Sequence, residues 1–409
     1  MPILTEDAMK MQLPKMVKIQ QKFDKTHIQD IEKAVRQELE QDKVRTLIRP
    51  GQTVAVAVGS RGINNLSRIV KATVVYLKEL GAAPFIVPAM GSHGGATAEG
   101  QLEVLHNYGV TEEAMGVPIK SSMEVTLLGH TPKGIPAYMD KNARQADMVV
   151  LINRVKPHTN FRGPIESGLA KMCAIGLGKH IGCSRLHEEG WPDFSEAIAT
   201  VAEVFMQKAN IGFGLALVEN AYDETAMIKA LTKDEILAEE PELQAKAKAM
   251  MPALFVPDMD VLVIEQIGKN ISGTGMDPNI IGRADLANYY TGPKIKRIVV
   301  LDLTEATHGN ASGIGMADFT TKTVFDKLDF TATYTNMIAA GAPELASIPV
   351  VMESERDAII AAVRCCGRID EVSGPRIVKI KDTLHMGDIW VSENMLPFIK
   401  NDDRLAITK

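Results

Sequence analysis

The sequence predicts an α/β protein of two domains with mainly parallel sheets and an active site in the cleft between them. Short β-branched runs alternate with helical stretches, several of these runs end in glycine-bearing loops, and the alternation restarts after a proline-marked junction near residue 252. A chain of 409 residues with 45% hydrophobic content is long enough to bury more than one core.

In chain order, His27 to Leu47 places Ile28, Ile31, Val35 and Leu39 at helical spacing between charges, which predicts an amphipathic helix. Thr53 to Val58 reads as a buried strand, Leu66 to Leu80 as a helix, and Phe85 to Val87 as a second strand closed by Pro88 and Gly91. Strand, helix, strand in that order is a βαβ unit. Met148 to Ile152 and Gly212 to Val218 continue the pattern, with a loop and an apolar helix between them. Lys233 to Met251 is a charged helix, and Pro252, Pro257 and Asp258 mark the junction. The expected domains are therefore 1–255 and 256–409. The second contains strands at Val261 to Ile264, Arg297 to Leu301 and Arg376 to Ile380, and a helix near Glu355 to Arg364.

A net charge of −6 without a basic block argues against nucleic acid or an acidic membrane surface as partner. Four cysteines without C-x-x-C spacing suit a reducing compartment, with Cys365 and Cys366 expected in the core. There is no signal-like or membrane-spanning apolar segment, so a cytoplasmic location is expected.

Ligands of open α/β sheets gather in loops beyond the carboxyl ends of strands, and four such loops carry unusual chemistry. In Val58-Gly59-Ser60-Arg61-Gly62, Arg61 lies between glycines at a helix entrance. That suits a phosphate or carboxylate, or else a surface turn with a solvated arginine. Met90 to Thr97 holds His93 among small residues, as an acid or base or as a bystander in a loop where Thr97 caps a helix. From Arg154 to His187 run three histidines, three lysines and three arginines amid glycines, a segment suited to a charged ligand. Within it Lys171 has small or apolar neighbours, so its amine is either extended to solvent or desolvated and reactive. No H-E-x-x-H motif is present, and no strand is followed by G-x-G-x-x-G, which counts against a nicotinamide-dependent dehydrogenase. In the second domain, Gln266 to Asn279 and Thr307 to Gly315 are candidate ligand-facing loops.

Taken in order, an arginine loop, a Gly-Ser-His loop, a Pro-His loop leading through glycines to a lysine, and a further histidine resemble the nickel-dependent lactate racemase family over the first half of the chain. The resemblance implies a racemase or epimerase that inverts C2 of a 2-hydroxy acid by hydride transfer to a nickel-pincer nucleotide tethered to lysine. Lys171 would be the tether, His187 the nickel ligand with His180 as the alternative, and His93 with His158 the acid–base pair. Arg61 and Ser60 would contact the cofactor, Arg61 also the substrate carboxylate. Partners implied are a small hydroxy acid and cofactor-maturation proteins. Val58 stands where the family pattern has an acidic residue, and the second-domain cations are not recognisable, leaving Lys269 or Arg283 to meet the substrate. The polar groups of Lys269, Asn270, Thr274, Asp277 and Asn279 point to a substrate more polar than lactate, such as a sugar acid. Other classes that fit the residues are a free-cofactor dehydrogenase and a non-catalytic ligand-binding protein.

Overall fold

The computed structural model describes residues 4–60, 62–188, 190, 193–370 and 372–408. The chain forms two compact units, Lys25–Met251 and the combination of Met1–Asp24 with Pro252–Lys409. Residues 1–24, expected in the N-terminal domain, instead supply β1 (Met16–Gln21) to the sheet of the C-terminal unit. The reason is local: the buried Gln21 amide donates to the carbonyls of Ala253 and Met386, and β1 is hydrogen-bonded on both edges.

The Lys25–Met251 unit is built on a five-stranded sheet of β2 (Thr53–Val58), β3 (Ala83–Pro88), β6 (Met148–Arg154), β7 (Ile211–Glu219) and β8 (Thr225–Thr232). The separate hairpin is β4 (Val125–His130) with β5 (Pro136–Asp140). The sheet order is β3-β2-β6-β7-β8, parallel except for the β7–β8 pair. Its strands read as continuous apolar runs because both faces are covered. Ala55, Ala57, Val149 and Leu151 face one core cluster; Val54, Val56, Val58, Val150 and Ile152 face the other. The chain leaves β2 toward β3 and returns on the other side to β6, so the carboxyl ends of β2 and β6 flank a topological switch point.

The helices follow their sequence signals closely. Asp30 accepts from the Lys33 N–H and starts the helix Ile31–Leu39, earlier than the expected end at Leu47; a separate turn, Asp42–Arg45, follows. The helix Leu66–Glu79 covers the sheet, and Lys233–Met250 begins with a reciprocal cap between Thr232 and Glu235.

The other unit holds β9 (Met259–Ile267), β10 (Ile295–Leu303), β11 (Phe319–Thr321), β12 (Val350–Met352), β13 (Ile377–Ile380), β14 (Asp388–Ser392) and β15 (Leu405–Ile407). With β1 they make an eight-stranded sheet, β12-β11-β10-β9-β13-β14-β1-β15, parallel through β13 and antiparallel beyond it. The expected α/β class with mainly parallel sheets is thus observed. Cys365 and Cys366 differ from expectation: they follow the buried turn Ala361–Val363 at the end of the helix Glu355–Arg364, leaving Cys365 exposed and Cys366 half-buried. Among the described residues no helix is long and apolar enough to cross a membrane.

Candidate functional site

Three loops leave the carboxyl ends of β2, β3 and β6, and the residues singled out in the N-terminal half sit on them or on the helix that follows the third. Arg61 lies outside the described residues. Its neighbour Ser60 places Oγ in a short hydrogen bond with His93 Nδ1, joining the first loop to the second. His93 itself is half-buried. The second loop is tied to the sheet and to the third: Gly91 donates from its backbone to the Gly176 carbonyl at 3.2 Å. A side chain at Gly91, whose φ is +61°, would lie 2.9 Å from Ile175, so the close approach and the backbone both require glycine. Thr97 caps the helix Ala98–Asn107, accepting from the Gly100 N–H.

The third loop carries His158. The buried carboxylate of Glu166 holds it from beneath, accepting from the backbone N–H groups of His158 at 2.8 Å and Gly163 at 3.2 Å, and pairing with Arg162 and Lys248. The Asn160 N–H donates to His158 Nδ1 at 3.1 Å, so the neutral ring carries its proton on Nε2. Burial, followed by the charges of Lys171, Lys156, His187 and Arg162, holds the His158 imidazolium well below the usual histidine range.

Lys171 closes the short helix Leu169–Lys171, which passes directly into the π-helical turn Met172–Leu177. Such turns are frequent at functional sites. Glu240, fully buried on the helix Lys233–Met250, accepts from the N–H groups of Leu169 at 2.6 Å and Ala170 at 3.3 Å. Burial lowers the Lys171 amine to about 8, opposed by Cys183 and Glu166.

An aromatic series brings the cationic residues together. The His158 ring lies 4.3 Å from that of Phe161, Phe161 lies 5.1 Å from Phe194, and Phe194 lies 4.9 Å from His187. The Lys171 ammonium is 5.9 Å from the Phe161 ring centre. His187, exposed near the end of the helix Lys179–His187, presents Nδ1 to the Cys183 carbonyl at 2.7 Å and to the Cys183 thiol at 3.6 Å. Burial works against its protonation, but contact with Cys183 outweighs this and raises its pKa. Cys183 in turn reaches Ser92, beside His93. His180 is exposed on the same helix; the aromatic series ends at His187.

Among the described residues no three His, Cys, Asp or Glu side chains converge to hold a metal ion. A metal here needs most of its ligands from an organic group, which is what a sulfur-bearing nucleotide would provide. The side chains fit that arrangement. Lys171 offers a desolvated amine for a covalent bond, and His187, giving its Nδ1 proton to a backbone carbonyl, carries its lone pair on Nε2, the nitrogen that would ligate.

In the C-terminal unit Lys269 follows β9, with its ammonium on the Gly273 carbonyl at 3.2 Å. Arg283 lies at the opposite edge of that sheet, by the amino ends of β10 and β11, where it pairs with Asp318 at 2.9 Å and donates to the Lys296 carbonyl. The expected substrate contact of Arg283 is not supported by that placement, because ligand-facing loops leave the carboxyl ends.

Sequence reading missed Phe161, Phe194, Cys183, Gln101, Asp140, Glu166 and Glu240, and it had Lys179 only as one of many cations. One signal was available: Glu240 falls on the same helical stripe as Ile236, Leu243 and Ala247, all buried. A carboxylate on a core-facing stripe demands a partner.

Fold and side chains together define an α/β protein that presents a desolvated amine amid imidazoles at the carboxyl edge of a parallel sheet. Residues 3–191 match the family model described as the lactate racemase N-terminal domain. The lactate racemase apoprotein from Thermoanaerobacterium thermosaccharolyticum is a similar solved structure, with a TM-score of 0.49 and 14% identity over 90% of this chain and 93% of that one. No curated protein is matched by the chain.

Proposed function

We propose that the protein is a racemase or epimerase that inverts C2 of a 2-hydroxy acid, using a nickel-pincer nucleotide bound covalently to Lys171. The observation that carries this reading is the half-buried Lys171 side chain over Phe161, in one cluster with His158 and His187 and with its amine lowered to about 8. When bound, the nucleotide would supply a hydride-accepting carbon, so that C2 could become planar and take the hydride back on either face.

The chain's own residues supply the rest. His158 is kept neutral with its proton on Nε2, so it donates a hydrogen bond to the substrate oxygen. His93 gives Nδ1 to Ser60; with that proton on Nδ1, its Nε2 accepts the substrate hydroxyl proton. His93, once protonated, returns that proton to the same oxygen as the hydride comes back, so the proton count closes while C2 is rebuilt from either face. His187 would hold the metal through Nε2, and Arg61 is assigned to the substrate carboxylate. The polar loop Gln266 to Asn279 favours an aldonate over lactate. Maturation proteins of the host are the implied source of the nucleotide.

Intact mass and peptide mapping of protein from a host that makes the nucleotide test the reading. An adduct on Lys171 with equimolar nickel is expected, and its absence from fully loaded protein overturns the assignment. C2 inversion assayed across lactate, malate and aldonates separates the substrate classes; turnover of lactate alone refutes the preference for a polar acid.

A further inference from the structure

Lys179 follows the π-helical turn by two residues, has φ +55° and is completely buried. Lysine seldom adopts left-handed backbone and is almost never fully buried, so its surroundings must hold it there. Its ammonium donates to the Pro88 carbonyl at 2.5 Å and to Gln101 Oε1 at 3.0 Å, and lies 3.2 Å from the equally buried Asp140. A buried ion pair of this kind adds little net stability over an apolar pair of the same size, so its worth lies in what it orients.

It orients Gln101. An amide side chain can point either end at a neighbour, and the ammonium fixes which, because it offers only donors. With Oε1 held by Lys179, the Gln101 Nε2 group turns to the second loop and donates to the carbonyls of Gly91 at 2.8 Å and His93 at 3.3 Å. Pro88 ends β3 and Gly91 and His93 lie in the loop leaving it, whereas Lys179 belongs to the helical segment Leu169–His187 that carries Lys171. The two hydrogen-bond acceptors of this one ammonium and its ion-pair partner Asp140 therefore tie the end of a strand, a helix and a hairpin together beneath His93.

We propose that Lys179 is a positioning residue that acts through Gln101 to fix the loop bearing His93 against the segment bearing Lys171. The catalytic use of that geometry rests on the racemase reading above, but the geometry itself is testable without it. Lys179→Met alone would strand the Asp140 charge, so the informative variant is Lys179→Met with Asp140→Asn, which removes both charges at similar volume. Gln101→Leu is the second variant, leaving the Lys179–Asp140 pair in place.

The readout is carbethoxylation of His93 by diethylpyrocarbonate in full-length protein without nucleotide, followed by peptide mapping, with exposed His27 as internal reference. Both variants should retain the cooperative unfolding transition and modify His93 at least about fivefold faster relative to His27, the factor that releasing about one hydrogen bond's restraint allows. An unchanged His93 rate in either folded variant overturns the proposal. Failure to find an adduct on Lys171 would sink the racemase reading while leaving this measurement intact.

Discussion

The carboxylate of Glu240 lies 2.6 Å from the backbone nitrogen of Leu169, two residues before Lys171. It accepts from the unpaired backbone N–H groups at the start of the short helix that carries Lys171. Gly168 makes the approach possible: its φ is +143°, and a Cβ there would sit 2.7 Å from the carboxylate.

Burial pushes the Glu240 carboxyl up to about 8 from an ordinary value of 4.5. The folded state thus binds a proton that the unfolded state has released, and stability falls as pH rises through that window. Glu240→Gln cannot ionise. The melting temperature of the wild type relative to this variant should therefore decline from about pH 5 to about pH 9. A difference that stays flat across the range refutes the assignment.

Lys171 has the opposite linkage. Its amine is lowered to about 8, so folding is penalised while the buried ammonium persists and the penalty fades as pH rises toward the unfolded value. Lys171→Met should raise the melting temperature near neutral pH, with the gain vanishing above about pH 10.5. Competitive acylation followed by mass spectrometry should give Lys171 a midpoint near about 8, against about 10.4 for exposed lysines. A midpoint with the exposed group contradicts the desolvated environment.

For His158 the expectation is constancy. Desolvation and four nearby cationic groups oppose its protonation, so its ring proton resonances should hold the neutral position from about pH 8 down to about pH 6, below the ordinary histidine midpoint. A titration midpoint at or above the ordinary value would show that the ring is open to solvent. It would also remove the reason for treating His158 as a hydrogen-bond donor to the substrate oxygen.

Residues whose neighbours in sequence are their neighbours in space were legible. Thr53–Val58 and Val261–Ile264 announce buried strands because every side chain is apolar or β-branched and both faces are covered. Lys171 stood out because small and apolar residues flank it locally. β1 was silent: Met-Val-Lys-Ile-Gln-Gln buries only Ile19 and Gln21, and a buried glutamine does not read as core. The hairpin from Val125 to Asp140 was equally silent, its first strand being half-buried or exposed throughout. The supports of the site were hidden by distance along the chain. Glu240 meets Ala170 across 70 residues and Lys179 meets Gln101 across 78, separations at which spacing rules carry no information.

Glu166 shows what such a distant support is worth. Its side chain is entirely buried, and its oxygens receive two backbone N–H groups of the His158 loop together with the Arg162 guanidinium and, from the helix Lys233–Met250, the Lys248 ammonium. Removing one member of a buried ion pair leaves the partner charge uncompensated, at a cost of about 3 to 5 kcal/mol. Half-exposed Lys248 can turn to water and Arg162 is less able to, so Glu166→Ala should fall toward the lower end of that range in urea denaturation. Glu166→Gln keeps one acceptor for a backbone N–H and should lose less. The His158 resonances should broaden in the alanine variant, because both donors that anchor the loop lose their acceptor together. An alanine variant as stable as the wild type, with His158 unchanged, would show that the loop is held by its own packing on Phe161 and Phe194.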